Sequence, residues 1–162
     1  MDRIAILCPG PSIQDWEFND DGFFTKTYAV NQAVFAAKCD AFICLDGPNE
    51  TWKGYEFPHH IPRITERHFP PVFPKKVGQF SFPTLLAYCH KHHPGAKIYV
   101  FGCDFGGTDP YKNKKSSANR WAKETKEVLQ VIKHFEPGKI FWRGEFQPDQ
   151  ASSRVQLANA EQ

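Results

Sequence analysis

The sequence predicts a single α/β domain built on a doubly wound, mostly parallel sheet. Three observations carry that expectation. Short, largely apolar runs at residues 4–8, 27–30, 40–45 and 97–102 recur along the chain, and strands buried on both faces of a parallel sheet read this way. Helical stripes with apolar residues three and four apart fall between the later runs. Most of the runs close on Gly, Pro, Asn or Asp, so the chain follows a strand, turn, helix, strand cadence.

The first run stops at Pro9-Gly10-Pro11-Ser12, where Ser12 is placed to cap a short helical turn with Asp15 three residues on. The second ends at Asn31-Gln32, and residues 33–38 have the composition of a brief helix. The third closes on Asp46-Gly47-Pro48. Between Asn49 and Gln79, Pro58, Pro62, Pro70, Pro71 and Pro74 forbid long regular elements. Interleaved aromatics make this stretch an irregular flap packed on the sheet, with a short strand at residues 63–65; an acceptor side, a lid and a dimer contact are all open to it. A helix starts at Ser81, with Pro83 in its first turn and Leu85, Leu86 and Cys89 as its stripe, and Pro94-Gly95 ends it. Residues 97–102 form the clearest strand, followed by a Gly- and Lys-rich loop over 103–117. Trp121, Thr125, Val128, Leu129, Ile132 and Phe135 then mark the best-patterned helix. Residues 139–142 are the last expected strand. The domain is placed at residues 1–144, and 145–162 is read as a polar C-terminal tail.

Composition narrows the class. A chain of 162 residues buries roughly two thirds of its unfolded surface. With 41% hydrophobic and 15% aromatic residues, wholesale disorder is excluded. A net charge of +2 does not argue for a nucleic-acid partner. No apolar run approaches the ~20 residues of a membrane-spanning helix, and the start of the chain leads straight into a strand rather than a signal segment. The five cysteines contain no CxxC pair, so free thiols in a reducing cytoplasm are expected.

In a parallel sheet of this kind ligands sit beyond the carboxyl ends of the strands. The tips here carry Gly10, Pro11 and Ser12, then Asn31 and Gln32, then Asp46, then Gly102 and Asp104. All are expected to face one crevice suited to an anion. Gly10 lets a phosphate approach the backbone, and Ser12 offers a hydroxyl at a helix start; an ordinary strand-to-helix turn uses the same residues. Asn31 offers a donor and an acceptor for a base or ribose. Asp46 suits a ribose hydroxyl or a metal, and Asp104 a general base, although both types also cap strand ends. Tyr111 and Lys112, with Lys114 and Lys115, would neutralise phosphate if their loop closes over a ligand, and Arg120 would point to the same mouth. His90 and His93 share a helix face, but no ligand spacing follows them, so no metal site is assigned.

Taken in order, residues 6–12, 28–32, 39–46 and 97–105 resemble a Rossmann-like group that includes the small bacterial sialyltransferases and the archaeal hydroxymethylpterin pyrophosphokinase-like proteins, along with bacterial and phage members. The resemblance spans most of residues 4–135. It implies that Gly10, Ser12, Asn31, Ser81, Gly102 and Tyr111 hold a nucleotide, as in a nucleotide-activated sugar donor. It also has two departures: Pro9 stands where those enzymes carry asparagine, and no histidine precedes His134 in the region of their base. Three functions follow. The first is a glycosyltransferase-like enzyme with Asp104 as base and Arg120 stabilising the departing phosphate. The second is a magnesium-ATP diphosphotransferase acting on a small heterocyclic alcohol, with Asp46 and Asp104 as metal ligands. The third is a non-catalytic nucleotide-binding protein.

Overall fold

The computed structural model describes residues 2–16, 22–45, 58–103, 108–109, 114–115, 118–143 and 155–157. The strands are β1 (Arg3–Leu7), β2 (Lys26–Val30), β3 (Ala41–Ile43), β4 (Arg63–Ile64), β5 (Lys97–Phe101), β8 (Ile140–Arg143) and β9 (Val155–Leu157). They form one seven-stranded sheet in the order β4-β3-β2-β1-β5-β8-β9, with every pairing parallel. A separate antiparallel pair joins β6 (Thr108–Asp109) to β7 (Lys114–Lys115). Two helices, α1 (Ser81–His92) and α2 (Ala118–Ile132), complete the regular elements. The expected α/β, mostly parallel, Rossmann-like single domain is the fold.

Both sheet faces are buried, and this is why the strands read as unbroken apolar runs. Ile4, Ile6, Tyr28, Val30, Ile43, Ile98, Val100, Ile140 and Trp142 face α1 and α2. Ala5, Leu7, Ala29, Phe42, Tyr99, Phe101 and Phe141 face the opposite layer, where Ile13, Ala33 and Val34 pack. Trp142 shows how closely the first layer is filled. It is 1% exposed, lies edge-on to Phe82 at 5.7 Å, and donates its indole N–H to the Cys103 carbonyl at 3.3 Å.

Three local expectations are corrected. The turn after β1 is a five-residue 3-10 turn (Pro11–Asp15) whose cap position is Gly10, with no side-chain cap bond. Ser12 therefore lies inside the turn, because Pro11 already fixes its first residue at helical φ. The brief helix expected at residues 33–38 is a 3-10 turn starting earlier (Asn31–Phe35). Five residues are too few to repay an α-helical nucleus. Within the stretch read as a polar tail, Val155–Leu157 adds to the sheet beside β8. Two apolar residues flanking one glutamine carry too little pattern to mark a strand without its partner.

The described part of the proline-rich stretch, residues 58–79, packs against the core. Phe69, Phe73 and Val77 are buried with α1 and α2. Cys8, Cys39, Cys44, Cys89 and Cys103 are free, buried thiols. No helix among the described residues is long and apolar enough to cross a membrane.

Candidate functional site

The strand order contains one reversal, between β1 and β5. The chain moves outward from β1 through β2 and β3 to β4, then returns to the other side of β1 as β5. The connection leaving β1 packs Ile13 on one face of the sheet, and the helix that follows β5 packs on the other. Connections that part in this way leave a crevice at the strand ends. The strands end nearly level there, since Leu7 is paired with both Ala29 and Phe101, and Val30 with Ile43.

The loops leaving β1 and β5 are bonded to each other. Cys8 N–H donates to the Phe101 carbonyl and Gly10 N–H to the Gly102 carbonyl, both at 2.7 Å, while Ile13 N–H donates back to Gly10 at 3.1 Å. Gly102 has φ +73°, and a Cβ there would stand 2.1 Å from the Cys8 carbonyl oxygen and 2.9 Å from Ile13 Cβ. The amide of Gly10, the residue expected to let a phosphate approach the backbone, is bonded inside the fold. Pro9 and Pro11 have no amide to offer. Gly10 and Gly102 thus stand together at the switch point, joined through backbone.

A second group lies across β2 and β3. Asn31 has φ +50°, a left-handed conformation that Asn tolerates better than other residues with a Cβ. Its Oδ1 accepts a long bond from Ser81 Oγ at 3.4 Å, and Ser81 Oγ accepts from Leu45 N–H at 3.2 Å. Ser81 opens α1, so this contact fixes the helix start against the ends of β2 and β3. Asn31 and Ser81 are 8% and 9% exposed, and Gln32 is fully buried. Neither amide atom of Gln32 has a hydrogen-bond partner among the described residues, an arrangement that costs on the order of 1–3 kcal/mol per group. Pro11 is exposed and Ser12 half-buried. Arg120, on the first turn of α2, lies 5.7 Å over the ring of Phe80, the residue before Ser81. The structure therefore brings together Gly10 with Gly102, Asn31 with Ser81, and Arg120 with the start of α1. Asp46, Asp104, Tyr111 and Lys112 lie outside the described residues.

Four charged residues that sequence reasoning did not assign hold or lie near the elements around these strand ends. Arg63 donates from Nη2 to the Cys44 carbonyl, and Arg67 from Nη2 to the Leu45 carbonyl at 2.8 Å. Arg63 lies on β4, the short strand expected at residues 63–65, which pairs with β3, and Arg67 follows it in the proline-rich flap, where no periodicity links it to β3. On α2, Glu127 Oε1 accepts from the backbone N–H groups of Gly78, Gln79 and Phe80 at 2.9, 3.1 and 3.3 Å. It holds the lead into α1. Glu124, 7% exposed, leaves Oε2 without a partner among the described residues. Burial pushes its carboxyl up to about 7, with Arg120 opposing and Glu127 adding to the shift. Glu124 sits on the helix stripe between Trp121 and Val128, so its spacing was a signal.

The histidines at the end of α1 have structural partners. His90 Nε2 lies 3.1 Å from the His134 carbonyl, His92 Nε2 2.8 Å from Glu66, and His93 Nε2 2.7 Å from the Tyr28 hydroxyl. Among the described residues no group of three or more metal-ligating side chains occurs.

The fold is a Rossmann-like α/β domain with a topological switch point between β1 and β5. Comparison with protein-family models, curated proteins and solved structures finds no match.

Proposed function

We propose that this protein binds a nucleotide in the crevice beyond β1, β2, β3 and β5, in the form of a nucleotide-activated sugar, and acts as a glycosyltransferase-like enzyme. The observation that carries the reading is the switch point itself, where Ile13 after β1 packs on one face of a fully parallel sheet and α2, the helix after β5, packs on the other. The left-handed Asn31 supports it, because non-glycine residues in that region concentrate at functional sites. The bond between Ser81 and Asn31 at the ends of β2 and β3, with Arg120 over Phe80 beside them, supports Asn31, Ser81 and Arg120 as ligand contacts. Asp104 as base and Tyr111 with Lys112 over the phosphate complete the proposal from the sequence resemblance.

A thermal-shift screen with CMP- and UDP-sugars, and with ATP in the presence and absence of magnesium, tests the reading through ligand stabilisation of the folded state. Nucleotide sugars are expected to raise the melting temperature without metal. A rise only with ATP and magnesium replaces the glycosyltransferase with the diphosphotransferase. No shift with any nucleotide removes the proposal. Asn31→Gly is the informative variant, since glycine keeps φ +50° without strain. It is expected to melt within a few degrees of the parent and to lose most of the ligand-induced shift, whereas Asn31→Ala adds about 1 kcal/mol of backbone strain that obscures the comparison.

A further inference from the structure

The β1 loop is poor in the donors an anion needs. The amides of Cys8, Gly10 and Ile13 are spent on the carbonyls of Phe101, Gly102 and Gly10, and Pro9 and Pro11 have none. A phosphate in this crevice has to find its positive charge elsewhere, and the end of β3 supplies it. Arg63 and Arg67 reach from the flap to consecutive carbonyls, those of Cys44 and Leu45. Leu45 is tied on its other side to Ser81, which bonds Asn31. Two guanidiniums are thereby fixed one residue from the floor of the crevice. Arg67 is exposed, and apart from its bond to Leu45 it makes no hydrogen bond or ion pair among the described residues. A guanidinium held at one nitrogen keeps the rest of its fork for an oxyanion.

We propose that Arg67 is the phosphate anchor of the crevice, so that a phosphorylated ligand is held from the β3 side and not by the glycine-proline-serine turn. The assignment rests on the nucleotide reading for its ligand but not for its chemistry, which is that of a phosphate or diphosphate. Backbone bonding at Cys44 and Leu45 orients both arginines before a ligand arrives, which lowers the ordering cost of binding.

The test uses the full chain and isothermal titration with inorganic pyrophosphate, CMP, UMP and AMP, and the matching nucleosides. Arg67→Gln is expected to weaken pyrophosphate and nucleotide binding by about tenfold to a hundredfold, the loss of one charge-assisted contact, while leaving nucleoside affinity unchanged. Arg67→Lys, which keeps a donor for Leu45 but not the fork, is expected to fall between the two, and it stands as the folding control. If Arg67→Gln binds nucleotides as tightly as the parent, the anchor is wrong and the nucleotide reading survives. If the parent binds pyrophosphate through Arg67 but no nucleotide, the anchor stands and the nucleotide reading falls. If the parent binds no phosphate-bearing probe, both fall.

Discussion

Gly102→Ala is expected to destabilise the protein by on the order of 4 kcal/mol or more, a large part of the 5–15 kcal/mol that holds a typical domain folded. The added Cβ would lie 2.1 Å from a backbone oxygen, at Cys8, which no rotamer change relieves. Relief requires β1 and β5 to separate at their ends, and that strains the bonds from Cys8 to Phe101 and from Gly10 to Gly102. Positive φ adds about 1 kcal/mol of its own. Gly95→Ala separates the two causes, because Gly95 has φ +78° and nothing within 4 Å of its Cβ position. It is expected to lose only about 1 kcal/mol. Urea denaturation of both variants is the measurement. Equal losses would show that conformation alone matters at Gly102 and that β1 and β5 are not closed as described.

The second large effect lies in the buried carboxylates of α2. Glu127→Ala leaves the N–H groups of Gly78, Gln79 and Phe80 without their acceptor, and a loss of about 3 kcal/mol is expected. Gly78 cannot readily shift to compensate, since its Cβ position is 2.8 Å from the Arg67 carbonyl oxygen. Glu124 makes stability depend on pH. Its carboxyl is raised by burial from 4.5 to about 7, so the native state holds a proton that the unfolded chain has released. The associated stability is fully present below about pH 4.5, declines as pH rises through about 7, and is gone above it, a change of about 3 kcal/mol. Burial raises Glu127 as well, against the lowering effect of its three backbone bonds, so it acts in the same direction. Glu124→Gln mimics the protonated form and is expected to flatten the decline and to exceed the parent in stability at pH 8. Denaturation midpoints for both proteins at pH 5 and pH 8 decide it. A parent-like slope in Glu124→Gln would assign the pH dependence to other groups.

The pH effect bears on the candidate site through α1. Glu127 fixes residues 78–80, the next residue is Ser81, and Ser81 contacts both Asn31 and Leu45. A carboxylate on α2 therefore sets the position of the Ser81 hydroxyl beside Asn31. This is a positioning role, and no ligand contact by Glu127 is required for it.

Legibility in the sequence followed burial. Strands covered on both faces show as apolar runs, so β1, β2, β3, β5 and β8 were visible, and with them the places of Gly10, Asn31 and Gly102 at the ends of β1, β2 and β5. A short strand at Arg63 was visible as well, but not that Arg63 and Arg67 would reach the end of β3, because a proline-interrupted flap carries no period that says which strand end it will meet. Glu124 and Glu127 stood in plain sequence on a helix stripe, yet charge at a stripe position reads as surface unless the facing segment is known.

The order of amino acids determined by itself the α/β class, the parallel sheet and which strand tips bear polar residues, since those follow from local periodicity and turn chemistry. Only the tertiary structure decided what each polar group is bonded to. It spent the Gly10 amide on Gly102, brought Arg67 to Leu45 and placed Glu127 under Gly78. The reason is physical: apolar patterning is a property of one segment, whereas a hydrogen-bond partner across 22 or 49 residues exists only once the sheet has set the two in register.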